Sequence, residues 1–138
     1  MSILKVNKSV LDLLFFHGSQ ELPYEACGYL AADNGVVSQH YEMTNTDKAA
    51  DHFSMDPQEQ FAVMKDIRKR GLQLRAVYHS HPETPARPSA EDIRLAYDPD
   101  VSYVIISFAG KKQTVKSFRI RSKLVEPEPI EIVEDFQE

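Results

Sequence analysis

Cysteine is nearly absent. Cys27 is the one thiol in 138 residues, which excludes an intrachain disulfide and any zinc site built on two or more cysteines. Histidine and carboxylate remain as the available metal ligands. Long apolar runs are also missing: nothing approaches the roughly 18 residues of a transmembrane helix. The start, Met1 to Lys8, lacks the charged-then-apolar layout of a secretory signal. These absences predict a cytoplasmic protein with no membrane partner. Nor is there an excess of positive charge. The net charge of -5 argues against general nucleic-acid binding. No internal repeat, low-complexity block or linker divides the chain, and its length suits one domain with a core of its own.

What is present is ordinary in bulk, 42% hydrophobic and 27% charged, and specific in its punctuation. Ile3 to Val6 reads as a short strand. Ser9-Val10-Leu11-Asp12 has the form of a capping box and predicts a helix from about Ser9 to Glu21, ending before Pro23. Ala26 to Met43 reads as two strands joined at Asp33-Asn34-Gly35, a hairpin turn signal. The second helix is bounded most clearly: Asp56 as N-cap, Pro57 at the first turn, Glu59 completing a box, and Gly71 after the basic Arg68-Lys69-Arg70. Phe61, Met64 and Ile67 are its expected inward stripe.

Leu72 to His79 then alternates as a strand, and Ser89 opens a short helix stopping near Asp98-Pro99. Val101 to Phe108 reads as a central strand, and Gly110-Lys111-Lys112 turns the chain into a last strand from Gln113 to Arg121. This mixed order predicts an α/β (α+β) domain with a mixed β-sheet flanked by helices, a three-layer arrangement, over a doubly wound parallel sheet. Charge is segregated near the end. Ser102 to Val125 holds six basic residues and no acid, whereas Glu126 to Glu138 holds six acids and no base. The expectation is one domain over residues 1–125 and a loosely held acidic C-terminal tail over 126–138. A cationic docking face for an acidic partner is the alternative reading of the basic strands.

The chemistry concentrates in Tyr78-His79-Ser80-His81-Pro82, which a proline-spaced connection links to Ser89-Ala90-Glu91-Asp92. At a strand end the period of two points His79 and His81 to the same side, as two ligands of one metal require. Asp92 is a third, anionic ligand candidate. Zinc in hydrolytic sites commonly takes three protein ligands and keeps a further position for an activated water. A group must then accept that water's proton, and Glu25, at the mouth of a strand, is the candidate. Each residue also has a bland reading. A His-x-His pair can be two partly exposed histidines, and Ser89-x-x-Asp92 is a complete capping box without any metal. Two histidines and a carboxylate also suit a non-haem iron centre.

Glu25-Ala26-Cys27-Gly28-Tyr29-Leu30, followed by His79-Ser80-His81-Pro82 and then by Ser89 and Asp92, resembles the JAMM motif of MPN-domain metalloproteases. The likeness spans roughly Pro23 to Phe108 and includes Phe53-Ser54-Met55-Asp56-Pro57; Ala32 departs from it where a second glycine is common. The resemblance implies a cytidine-deaminase-like α-β-α sandwich with one zinc ion (Zn2+) per chain on His79, His81 and Asp92. It further implies Glu25 as general acid/base, with Ser89 polarising the scissile carbonyl. The deaminases' own His-x-Glu and Pro-Cys-x-x-Cys pattern is absent, so base deamination is not implied. The short chain is similar to the small prokaryotic members. That implies hydrolysis of a peptide or isopeptide bond after the diglycine end of a ubiquitin-like sulfur-carrier protein, with strand addition at a sheet edge as a way to hold the tail. The alternatives are a non-catalytic module that binds a ubiquitin-like protein and a thiol hydrolase using Cys27. Oligomeric state is left open, a homo-oligomer included.

Overall fold

In the computed structural model, which describes residues 2–134, eleven elements follow in order: β1 (Leu4–Asn7), α1 (Lys8–Glu21), β2 (Cys27–Asp33), β3 (Val36–Met43), α2 (Pro57–Lys69), β4 (Gln73–His81), α3 (Ala90–Arg94), β5 (Ser102–Ser107), β6 (Thr114–Arg121), β7 (Leu124–Glu128) and β8 (Ile130–Val133). Local chemistry explains several boundaries. Asn34 and Gly35 take φ values of 51° and 82°, the paired left-handed conformations of a tight hairpin turn. The Asp56 side chain accepts from the Gln58 amide at 3.0 Å, capping α2. None of the helices is long and apolar enough to cross a membrane.

The eight strands form one mixed sheet in the order β7-β6-β5-β4-β2-β3-β1-β8. β1 pairs in parallel with β3 and β8, and β4 in parallel with β5; the other neighbours are antiparallel. The outermost strands, β7 and β8, are consecutive in sequence, with only Pro129 between them. Eight strands spaced about 4.8 Å apart in a flat array would hold those edges roughly 34 Å apart, whereas one residue spans about 3.4 Å. The sheet must therefore curl until its edges converge at Pro129, whose carbonyl accepts from the Leu4 amide at 2.9 Å. The curl encloses α1: Val10, Leu11 and Leu14 pack with Leu30, Val37, Ala76, Tyr78, Val104 and Ile106, and with Val115 and Ile130 at their margin. Alternate residues point outward to a second layer. Cys27, Tyr29 and Val77 meet Val63 and Met64 of α2, while Ile105, Phe118 and Ile120 meet Ile93 of α3. The expected three layers are present, with α1 on the enclosed face and α2 and α3 on the outer one.

Five expectations change. The helix opened by Ser89, expected to stop near Asp98-Pro99, ends at Arg94 with Leu95 as its C-cap. α1 starts one residue before Ser9, at Lys8, with Asn7 as its N-cap. Glu59 does not close a capping box; its carboxylate accepts from the Thr44 amide at 2.7 Å and the Thr44 hydroxyl at 3.0 Å, tying α2 to the end of β3. Phe61 is 72% exposed, so the inward stripe runs through Val63, Met64 and Ile67 instead. The acidic tail expected over 126–138 is ordered sheet through Val133, because Ile130 and its neighbours complete the enclosed core and pair with β1. The remainder, residues 135–138, lies outside the described residues.

Within that segment Glu128 is a buried hub. Its side chain is 0% exposed and accepts from the hydroxyls of Ser2, Ser102 and Ser117, with Arg75 at 3.3 Å and Arg119 at 3.9 Å. Burial alone would raise its pKa, but the three hydroxyls and Arg75 outweigh it and hold the carboxyl below the usual range. Replacing Glu128 with Ala should cost about 3 kcal/mol, since it strands two cations in a dry site. The folded-state pKa lies below the unfolded one, so this stabilisation is complete at neutral pH and is lost as pH falls through the folded value. Denaturant titrations of both proteins between neutral pH and about pH 3 should show the stability gap closing in acid. A gap of constant size would contradict this assignment.

Candidate metal centre

The β2–β4 pairing builds the site. Cys27 lies opposite His79 and Gly28 opposite Tyr78, in an antiparallel register continued by the bond from the Ser80 amide to the Ala26 carbonyl at 3.0 Å. One step further places Glu25 opposite His81. Residues opposite one another share a face, so Glu25 and His81 both point outward. Two contacts fix this register. Ser80 faces the other way from its histidine neighbours, and its Oγ accepts from the Ala26 amide at 2.8 Å. A Cβ at Gly28 would lie 2.2 Å from the Tyr41 carbonyl oxygen and 2.5 Å from the Tyr78 ring, so only glycine lets these strands close over Tyr78.

His79 Nε2, His81 Nε2 and Asp92 Oδ2 lie 3.1 Å from one another in all three pairs. Ligands about 2.0–2.1 Å from a tetrahedral zinc stand about 3.3 Å apart, so the triangle fits such an ion closely. The tautomer fits as well. His81 Nδ1 lies 2.9 Å from the Pro85 carbonyl, which can only accept, so Nδ1 carries the hydrogen and neutral His81 presents a bare Nε2 to the centre. Phe53 stacks on His79 with ring centroids 4.9 Å apart. Both histidines are buried, and the three residues form a group able to hold a metal ion.

Asp92 serves two purposes at once. Ser89 Oγ accepts from the Asp92 amide at 3.0 Å, and Asp92 Oδ2 accepts from the Ser89 amide at 2.9 Å, the complete capping box of α3. The same Oδ2 faces the histidines. Burial would raise the Asp92 pKa, but hydrogen bonding to His79 and His81 overcomes it and holds the carboxylate well below its usual range. For His81, burial lowers the pKa, yet the bonds to Asp92 and the Pro85 carbonyl leave it raised.

Glu25 has the opposite environment. It is 4% exposed, and its Oε1 has no hydrogen-bond partner among the described residues. Burial pushes its pKa up to about 8, with His81 pulling down and Asp92 pushing further up. A carboxyl with affinity for a proton near neutrality, beside a metal-ligand triangle, has the properties of a general acid/base. Cys27 does not suit nucleophilic duty: it is fully buried, and burial, with Glu59 next in effect, pushes its thiol up to about 12. Beside the triangle, a cleft of about 540 Å³ is lined by Tyr29, Phe53, Met55, Leu95 and Tyr103 along with His79 and Asp92.

All the residues singled out from the sequence therefore sit in one place, Ser89 at the exposed rim and Glu25 at the buried wall. Ser80 and Phe53 were given no role there. For Ser80 the signal was available, since the residue between two same-facing histidines must face the strand's other side. Phe53 falls within the motif likeness, but in an irregular segment no periodicity says where its ring points.

Residues 7–121 match the family model described as prokaryotic homologs of the JAB domain. The CysO-cysteine peptidase of Mycobacterium tuberculosis is 31% identical over 137 residues, covering 97% of this chain and 94% of that protein. A Thermus thermophilus protein named as a probable TtuB-protein conjugate cleaving protease is 33% identical over 109 residues, 78% of this chain and 72% of its own. Among solved structures, protein DSY2949 of Desulfitobacterium hafniense superposes with a TM-score of 0.88 at 44% identity, over 98% of this chain and 96% of that one. The chain belongs to the prokaryotic JAB-domain family, the small prokaryotic branch of the JAMM/MPN proteins.

Proposed function

We propose that this protein is a zinc-dependent peptidase that hydrolyses the peptide or isopeptide bond after the diglycine end of a ubiquitin-like sulfur-carrier protein. The observation that carries this reading is the juxtaposition of an equilateral His79–His81–Asp92 triangle with Glu25, a buried carboxyl whose Oε1 has no hydrogen-bond partner among the described residues. His79, His81 and Asp92 would hold the zinc ion, which would supply Lewis-acid activation of a water molecule and of the scissile carbonyl. Glu25 accepts the proton as the water oxygen bonds to the carbonyl carbon, then delivers it to the amine as the C–N bond breaks. Ser89 Oγ already accepts from the Asp92 amide, which leaves its O–H to donate to the developing oxyanion.

Support for a diglycine substrate comes from burial. His79 and His81 are 4% and 3% exposed, so an amide reaches them most readily where the residues before it carry no side chain. Strand addition at a free sheet edge does not explain this, because β4 lies between β2 and β5 and the two edges meet at Pro129. The curated relatives named as a CysO-cysteine peptidase and as a TtuB-protein conjugate cleaving protease favour this substrate class. A thiol hydrolase finds no support in the buried, high-pKa Cys27.

Elemental analysis should find about one zinc per chain, with no iron, and His81→Ala should lose it. Zinc added to the metal-free protein should raise the wild-type unfolding temperature and leave that of His81→Ala unchanged. In the activity test, carriers ending in Gly-Gly and extended by cysteine, by a peptide or through a lysine side chain are incubated with the protein and weighed intact. Loss of the extension's mass is expected, and Glu25→Gln should keep zinc while losing roughly 10²- to 10⁴-fold in kcat. Carriers that bind yet stay uncut would instead identify a binding module.

A further inference from the structure

The basic residues of β6 and the turn before it divide into two groups. Arg119 and Arg121 are engaged, donating to the Pro99 carbonyl at 3.2 and 3.3 Å. Lys112 and Lys116 differ. Among the described residues no ion pair or side-chain hydrogen bond reaches either one, or the Arg87 side chain. These three side chains line a single recess of about 440 Å³, together with Pro85 and Thr114 and with no acid in its wall. The chain carries 21 acids to 16 bases, yet among the described residues no carboxylate forms an ion pair with any of the three.

The recess adjoins the metal centre through the sheet. His79 of β4 registers with Ile105 of β5, which registers with Lys116 of β6; His81, Ser107 and Thr114 form the next row. Two strand spacings of about 4.8 Å put the Lys116 backbone roughly 10 Å from that of His79. The segment between His81 and Ser89 separates them. Its Pro85 carbonyl holds His81 Nδ1, its Ala86 is buried against Ile105, Phe118 and Ile120, and its Arg87 turns to the recess.

We propose that this recess docks an acidic patch on the folded body of the protein substrate, holding it while its C-terminal tail reaches the metal centre. The inference rests on the peptidase reading above and adds the charge of the surface recognised. An extended chain covers about 3.3 Å per residue, so three or four tail residues bridge the interval. Long, exposed lysines around an open recess suit a protein surface, where rim charges govern encounter and salt dependence more than bond-making.

The test compares wild type with Arg87→Glu/Lys112→Glu/Lys116→Glu and, leaving the Pro85 segment untouched, with Lys112→Glu/Lys116→Glu. Both variants should hold zinc, raise KM for the carrier about tenfold at low ionic strength, flatten its salt dependence, and change kcat by less than about twofold. Cleavage of a short peptide containing Gly-Gly and no folded body should be unaltered. Unchanged KM for the carrier would overturn the proposal, as would an equal loss on the short peptide. Independently of cleavage, hexaglutamate added to ¹⁵N-labelled protein should shift the amides of Gly110 to Lys116 in wild type and in neither variant. No shift would overturn the docking site even if carriers are cleaved, and equal shifts with inorganic phosphate would overturn it in favour of a small-anion site. Peptide-induced shifts without cleavage of any carrier would instead sink the peptidase reading, and substrate docking with it.

Discussion

The pairing register between β2 and β4 is the constraint on which the rest depends. Glu25 and the histidine pair are separated by more than fifty residues, and what brings them to one face is that, of the β2 residues, Cys27 sits opposite His79. A slip of one residue would turn Glu25 to the enclosed face, against α1. The register is therefore pinned on the enclosed face of the sheet: by Ser80 receiving the Ala26 amide, and by a glycine at position 28 that admits the Tyr78 ring and the Tyr41 carbonyl at distances no side chain tolerates. The curl of the sheet reinforces this. With both edges drawn together at Pro129, β2 and β4 are held in the middle of a continuous ladder and cannot shift without disturbing their neighbours.

Asp92, the third ligand candidate, is placed by a different kind of interaction. α3 is only five residues long, too short to be stable through its own hydrogen bonds, and depends on its cap and on the packing of Ile93. Its capping box fixes Asp92 Oδ2 on the Ser89 amide, and the same oxygen meets both imidazoles. The reading of Ser89 and Asp92 as a helix cap and the reading of Asp92 as a ligand candidate are thus one arrangement. The cap orients the carboxylate before any ion arrives, which lowers the ordering cost of binding one.

Much of this was legible in the sequence wherever the signal was local. Asn34-Gly35 and Gly71 mark a turn and a helix end through left-handed conformations that few residues adopt, Asp56-Pro57 marks a helix start through its side-chain cap and fixed φ, and each stands where expected. His79 and His81 share a face because the period of a strand requires it. The misreadings came from interactions between distant segments. Glu59 satisfies a capping pattern, but Thr44 offers it two donors from the end of β3. Phe61 fits a three-residue spacing, but the packing of Val63 and Met64 on Cys27, Tyr29 and Val77 decides which side of α2 turns inward. The segment from Glu126 onward reads as a solvated tail because it is acid-rich throughout, and nothing local marks Glu128 as the buried one.

That one, Glu128, and Glu25 are both 4% exposed, so burial alone does not distinguish them. Their partners do. Glu128 meets three hydroxyls and two guanidinium groups, and its pKa falls; Glu25 Oε1 meets none, and its pKa rises to about 8. Removing a carboxylate from water carries a large desolvation penalty in either case. At Glu128 the compensation comes from within the fold, which makes the residue part of the structure. At Glu25 the fold leaves that compensation incomplete, and what would supply it is a positive charge on the neighbouring triangle or a proton from a bound water. A carboxyl buried there with one oxygen unpartnered is a cost to the folded state, and its proton affinity near neutrality is the property that proton transfer to and from a substrate requires.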